Sequence, residues 1–441
     1  MSSAYVAGVL LVVVALLIFM VSKLKLHAIV ALMVATVVLG IAVGTPLQKI
    51  PSMMNKGFGD TCTSVALIIF LGSLLGIILS ETGAILKITD YLVKLCGEKR
   101  VLWAIGTSCC ILGIPVFPDT ISLLVIPLCT NLAKKTGISM MAFASVIQVS
   151  IVTSSLVPPT PGPVAGAATL GLPLGQAIPW GMLVSIPGLI VTVLASNRLK
   201  NIQVPLNDAF LNEENATEKL SMSFFKAILP VFVPVILIVA QTITEVFVPK
   251  TPIANAMSFI GAPLSALFIG CFLAVFLQVR DWTTNNDVRN SWITRAAMDC
   301  AGPVFITALG GSLAAFIKSA GVAKTLAEVI VTSSVPGIFV PMLIGLLIRI
   351  ITGSNTLAVV TASALCQPML ETLHVSNLAA YLAICSGGIA FSHANSSGFW
   401  LTCSMSKLDF NQGLKSVGVS TLVSGLACCA FTLVLYFAGI V

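Results

Sequence analysis

Two charged side chains stand where an apolar sequence should hold none. Asp119 lies in Gly113-Ile114-Pro115-Val116-Phe117-Pro118-Asp119-Thr120, and Arg349 in Leu347-Ile348-Arg349-Ile350-Ile351-Thr352-Gly353-Ser354-Asn355-Thr356. A carboxylate at bilayer depth costs about 2.5–3.5 kcal/mol on insertion scales, so such a group is kept for a function or a partner. Asp119 suits the uptake and release of a proton; its plainer use is to cap the helix that follows it. Arg349 presents a planar fork that matches a carboxylate; its plainer uses are a structural ion pair or a side chain reaching for the interface.

Around these two charges the sequence gathers hydroxyls and amides. Thr120 and Ser122 follow the first interruption, and Ser354, Asn355 and Thr356 form the second. Two further breaks add Thr153, Ser154, Ser155 and Thr160, then Ser392, His393, Asn395, Ser396 and Ser397. Exposed helix ends attract anions through their unpaired N–H groups, and such hydroxyls could hold a polyhydroxylated solute. They could equally satisfy the backbone groups that a broken membrane helix sets free. His393 could relay a proton or simply sit satisfied at an interface. From these residues we expect substrate binding at Thr120, Thr153, Ser154, Thr160, Arg349, Ser354, Asn355, Thr356, His393, Asn395, Ser396 and Ser397, with proton coupling at Asp119 and His393.

The elements that position these residues are membrane helices. The 441-residue chain is 57% hydrophobic and 9% charged, against about 25% charged in soluble domains; its mean hydropathy is +1.05. In lipid the backbone must satisfy itself within each segment, so the apolar runs are read as helices, and the short alternating strands of a membrane barrel are absent. The basic excess is scattered through loops, which argues against a nucleic-acid partner. Twelve cysteines show no metal-ligating spacing and no metal or cofactor is expected. No nucleotide-binding, zincin or nucleophile-elbow motif occurs, so the chain is read as neither a pump driven by ATP nor an enzyme. A channel would need a continuous polar stripe; the polar residues cluster at breaks instead. An embedded enzyme would need a catalytic pair, and Asp119 with His393 is the one candidate.

A span needs about 20 apolar residues. Full spans read as Tyr5–Ser22, Leu26–Gly44, Thr61–Ser80, Ile178–Ser196, Phe224–Phe247, Ala256–Gln278, Met298–Ile317 and Ser416–Ala438, while Ile138–Val157 and Val375–Phe391 start as helices and then break. Val101–Leu132 and Val335–Leu370 are too long for one span and interrupted near the middle, which predicts re-entrant hairpins. The same order of elements occurs twice, and Leu71-Gly72-Ser73-Leu74-Leu75 with Gly83 and Asp90 is echoed by Leu309-Gly310-Gly311-Ser312-Leu313 with Gly321 and Glu328. Paired interrupted helices in two related halves point to a secondary transporter. The expected fold is an all-α polytopic membrane protein of about ten full spans, two re-entrant hairpins and two broken helices. Its first repeat covers residues 1–200, with hairpin 101–132 and broken helix 138–172. A cytoplasmic linker covers 201–223, and the second repeat covers 224–441, with hairpin 335–370 and broken helix 375–405.

Each half holds five crossings, an odd number, so the second must be inverted. Lys and Arg then divide 17 to 5 between the two sides, with Arg349 inside a hairpin. The richer side is cytoplasmic by the positive-inside rule, which places both termini on the outer side.

Several stretches resemble the gluconate permease family, bacterial sugar-acid:proton symporters within a wider ion-transporter superfamily. They are Gly97-Glu98-Lys99-Arg100 leading to Gly113 through Asp119, Pro158-Pro159-Thr160-Pro161-Gly162-Pro163, Arg349 before Gly353-Ser354, and Ser392-His393-Ala394-Asn395 through Ser397-Gly398-Phe399-Trp400. The resemblance covers nearly the whole chain. It implies the bacterial inner membrane, a homodimer, an elevator-like mechanism and a small organic anion as substrate: gluconate, a related aldonate or uronate, or D-serine. Two positions depart from the family pattern. Ser396 stands where an acidic residue is common, and Asn355 stands in Gly-Ser-Asn-Thr where the family commonly has Gly-Ser-Ala-Thr. The second is similar to the hairpin tips of dicarboxylate:sodium symporters in the same superfamily, so the coupling ion is open between proton and sodium.

Overall fold

The computed structural model describes residues 3–211, 222–248, 251–319, 336–393 and 396–441, and among these every regular element is helical. The first six helices are α1 (Ser3–Ser22), α2 (Ala28–Ala42), α3 (Ile50–Glu81), α4 (Ala84–Cys96), α5 (Val101–Leu112) and α6 (Pro118–Thr136). Then come α7 (Met140–Ile147), α8 (Val149–Leu156), α9 (Pro161–Leu170) and α10 (Leu174–Asn197). The later half contains α11 (Phe224–Phe247), α12 (Pro252–Ile260), α13 (Pro263–Gln278) and α14 (Trp292–Ser319), followed by α15 (Phe339–Thr352), α16 (Asn355–Cys366), α17 (Asn377–Gly387), α18 (Ser397–Met405) and α19 (Val419–Phe437).

Among the described residues, seven helical stretches are long and apolar enough to cross a membrane, or eight if the bent α12–α13 pair is one span. This length criterion includes Met140–Leu170 and Asn355–Leu373, which the sequence reads as a broken helix and a hairpin arm, and leaves out the short α2. One expectation needs correction. Ala256–Gln278 is not a continuous span, because α12 and α13 meet at a 63° bend. Pro263 opens α13, and the residue before a proline is pushed out of the helical region; Ala262 accordingly adopts φ −54°, ψ 134°. Gly261 sits at the bend so close to α11 that a Cβ there would lie 2.5 Å from the Leu237 carbonyl oxygen.

The first interrupted segment folds back on itself. Lys135 at the end of α6 pairs with Glu98 just before α5 at 2.8 Å, so the chain enters and leaves at one end of the molecule. Both arms of this hairpin pack on α4 and α7. The second interrupted segment also closes at its mouth, where Gly337 rests against the Leu373 carbonyl too tightly for any side chain. Its arms, α15 and α16, pack on each other. Its tip forms because Gly353, in the left-handed region at φ 73°, ends α15, and the Ser354 hydroxyl accepts the Leu357 amide to start α16. The last helix connects the two ends: near its start Ser416 Oγ donates to the Met141 carbonyl at 2.8 Å, and at its finish the Tyr436 hydroxyl reaches the His374 carbonyl at 3.3 Å.

The long helices α3 and α14 hold the halves together. At about 1.5 Å per residue, the 32 residues of α3 exceed the ~30 Å hydrocarbon core. The two cross at small residues, as membrane helices do when backbones must approach. A Cβ on Gly57 would lie 2.8 Å from Gly311 O and Ser312 Cα, and Ser312 Oγ donates to the Met54 carbonyl at 2.8 Å. Glu81, read from the sequence as interfacial, pairs with Arg295 at 2.6 Å across the same helix pair. The repeated Leu-Gly segments lie on these helices: Gly72 faces Pro159 of the first broken helix, and Gly310 faces Val360 of α16. The second amphipathic arm, with Gly321 and Glu328, lies outside the described residues. We predict that Gly57→Val, which overpacks this crossing, lowers thermal stability in detergent by about 1–3 kcal/mol; an unchanged melting temperature would contradict the close approach.

Candidate functional site

Of the long apolar helical stretches among the described residues, the first broken helix is the most buried. Every residue of α7 and α8 is buried, and the chain between α8 and α9 runs through the polar and proline-rich turn that ends at Thr160. Breaking the helix frees carbonyls, and three of them accept from side chains. Thr160 Oγ1 donates to the Ser154 carbonyl at 2.5 Å and the Val157 carbonyl at 3.0 Å, and the buried Tyr381 hydroxyl donates to the Leu156 carbonyl at 2.7 Å. After the break, Gly162 and Gly166 let α9 lie against α16: a Cβ on Gly162 would be 3.5 Å from Thr356 Cα, and one on Gly166 2.8 Å from Val359 Cγ1.

This packing brings the second hairpin's tip onto the first half's break. Asn355 Nδ2 donates to Ser155 Oγ at 2.7 Å, linking residues 200 positions apart. A cavity of about 70 Å3 lies at the junction, lined by Ser154, Ser155, Thr160, Asn355 and Thr356, with Phe117 and Pro118 from the first hairpin's tip closing one side. The side-chain oxygen of Asn355 is buried with no hydrogen-bond partner.

Asp119 is the next residue along from this wall. It stands in the first turn of α6 and does not cap it: the helix starts at Pro118, after Phe117 in the extended N-cap position. Negative charge in a first turn is favoured by the helix dipole. Asp119 is exposed on the chain's surface, and its carboxylate lies over the first turn of α18, where a Cβ on Gly398 would come within 2.8 Å of Oδ1. Ser396, buried, precedes that turn, and its amide donates to the His393 carbonyl at 2.9 Å. Ser397 is exposed beside it, and Thr120 is half-buried.

Arg349 is 1% exposed and sits behind the tip instead of in the cavity wall. One guanidinium nitrogen donates to the Gly353 carbonyl, at the C-terminal end of α15 where a cation is favoured, while Nε is buried without a partner. Arg349 and Asp119 act on each other electrostatically but form no ion pair within 4.0 Å, since the pairs among the described residues are those of Lys94, Lys135 and Arg295.

The structure therefore brings Ser154, Thr160, Asn355 and Thr356 to one cavity, with Asp119 and Arg349 at its margins. Others are placed elsewhere. Thr153 Oγ1 faces Cys110 Sγ at 3.2 Å, toward α5. His393 uses Nε2 to hold the Ile350 carbonyl at 2.9 Å, with its ring 5.2 Å from that of Phe391. Ser354 is a helix cap, and Asn395 lies outside the described residues. Among the described residues no group of three His, Cys, Asp or Glu could hold a metal ion. Ser155 and Tyr381 carry more of the site than the sequence suggests. Ser155 differs from Ser154 only by helical phase, and nothing local marks a tyrosine 225 positions away. Replacing Asn355 and Ser155 by Ala, singly and together, should give a coupling of about 0.5–1.5 kcal/mol in detergent stability; additive losses would show that the bond holds nothing.

The chain matches the model of the GntP family of permeases over residues 5–438. It is 27% identical to the high-affinity gluconate transporter of Escherichia coli strain K12 over 94% of this chain and 96% of that protein. It is 28% identical to the L-idonate transporter of the same strain over 93% and 94%, and 30% identical to that strain's low-affinity gluconate transporter over 88% of each. The YdaH transporter of Alcanivorax borkumensis has a similar fold, with a TM-score of 0.63 at 14% identity over 89% of this chain and 90% of that one. With a match across nearly its full length, this chain belongs to the GntP family of permeases and is a multi-pass membrane transporter, not an enzyme.

Proposed function

We propose that this permease imports a gluconate-like hydroxylated carboxylate by proton symport, binding it where the tip of the second hairpin meets the break of the first half. The observation that carries the reading is the Asn355–Ser155 contact over a small polar cavity, flanked by one carboxylate and one buried guanidinium with an unused N–H. The names of the relatives supply the substrate class. The cavity, at about 70 Å3, is well below the ~300 Å3 of a small ligand pocket. Admission of a six-carbon acid thus parts the tip from the break and exchanges the Asn355–Ser155 bond for bonds to substrate hydroxyls. Arg349 supplies positive charge for the substrate carboxylate, and Asp119 carries the proton.

Two inverted halves underlie this reading. Their support is the matching arrangement of elements: α9 packs on α16 as α18 packs on α6, and α8 packs on α5 as α17 packs on α15. Movement of hairpins and broken helices as one body past the α3–α14 pair is the elevator-like step, and homodimeric assembly, about ten crossings and outward-facing termini belong to the same reading. A monoanion entering with one proton moves no net charge, so the membrane potential, about 2.3 kcal/mol per charge per 100 mV, does not oppose it.

In proteoliposomes, an inward proton gradient should concentrate labelled gluconate and a sodium gradient should not; the reverse would replace the proton in this account. Asp119→Asn should abolish accumulation driven by the gradient while leaving counterflow, and normal accumulation would remove Asp119 from coupling. Arg349→Ala should weaken gluconate binding about tenfold or more, the scale of a charge-assisted hydrogen bond; unaltered affinity would leave Arg349 a brace for the tip alone.

A further inference from the structure

The Gly97-Glu98-Lys99-Arg100 motif has no part in the transport site, yet it forms a wall of a second cleft. The cleft lies at the mouth of the first hairpin and holds about 520 Å3. Its walls come from the turn before α5, the end of α6, the residues leading into α7, and the end of α10 with the loop beyond it. The Ser139 amide donates to the Lys200 carbonyl at 2.8 Å, fixing that loop to the start of the broken helix.

Lys99, Arg100, Lys135 and Lys200 line the cleft, and Glu98 is the one carboxylate among the lining residues. Glu98 is engaged with Lys135. Lys99, Arg100 and Lys200 are exposed and have no acidic partner within 4.0 Å among the described residues. Three cations without acidic partners around one recess favour an anion between them. Arg offers a fork for phosphate oxygens and Lys a mobile point charge. Trp103, half-buried in the same wall, is a residue type that settles at the membrane–water interface, and basic pockets between helices on the cytoplasmic side suit anionic headgroups.

We propose that this cleft binds a phosphate group, from an anionic lipid headgroup or a soluble phosphate ester, and that the bound anion ties the first hairpin to the end of α10. The test is thermal unfolding of the full chain in non-ionic detergent, titrated separately with phosphatidylglycerol, phosphatidylcholine and inorganic phosphate. Phosphatidylglycerol, inorganic phosphate or both should raise the melting temperature, and phosphatidylcholine should not. Inorganic phosphate acting alone would assign the soluble source, and an effect of the lipid alone would assign the headgroup. Combining Lys99→Gln, Arg100→Gln and Lys200→Gln should weaken the response about a hundredfold or more, each basic residue contributing roughly fivefold. Arg289→Gln with Lys407→Gln and Lys415→Gln, a control removing three exposed cations from elsewhere on the surface, should leave it intact. Lys99→Arg with Lys200→Arg, which keeps the charge, should also bind. No response of the wild type to either anion, or equal losses in the two Gln triples, would overturn the proposal.

Discussion

A helix broken inside a membrane must dispose of the carbonyls and amides that the break exposes, because no water is there to take them. That constraint organises this protein. Thr160 takes the Ser154 and Val157 carbonyls, Tyr381 the Leu156 carbonyl, His393 the Ile350 carbonyl and Arg349 the Gly353 carbonyl, while Ser354 accepts the Leu357 amide. Much of the polar chemistry thus goes to holding broken helices open: Tyr381 and His393 do so from distant elements, and the others within their own turns.

Among the polar groups at the tips and breaks, the Asn355 oxygen, Arg349 Nε and Ser392 Oγ are buried and unpartnered, and the Asp119 carboxylate, which is exposed, faces the first turn of α18. A buried polar atom without a partner costs free energy, and on the proposed reading the substrate supplies the partner of the Asn355 oxygen and of Arg349 Nε. On the same reading Ser155, already bonded to Asn355, exchanges that bond for one to a substrate hydroxyl, whereas Thr160 stays on the carbonyls of the break.

Much of this was legible in the residues. Gly353 and the prolines around Asp119 and Thr160 mark the interruptions, because positive φ and a missing amide are local properties that a sequence displays. The helical class follows from the composition and the apolar runs, and the family resemblance from the stretches around Asp119, Thr160, Arg349 and Ser397. Three things were not legible. The α12–α13 bend hides in a run whose hydropathy is continuous, where Pro263 only shows its effect once Gly261 is pressed against α11. The division between bracing and binding residues depends on which carbonyl each hydroxyl meets, and Thr153 and His393 look identical to binding residues until their partners are known. The pairing of Asn355 with Ser155 joins the two halves, and no local pattern encodes a contact across 200 residues.

On the two-repeat reading, the two hairpin tips carry different chemistry. An amide at the tip of the second hairpin meets a hydroxyl at the first half's break, and an acid at the tip of the first hairpin meets the turn of α18 that Ser396 precedes. The account turns on the acid as proton carrier. Calorimetric titration of gluconate into the purified protein, in buffers of different ionisation enthalpy, counts the protons taken up on binding. The account predicts one proton per gluconate for the wild type and none for Asp119→Asn with binding retained. Proton uptake that persists in Asp119→Asn would contradict it.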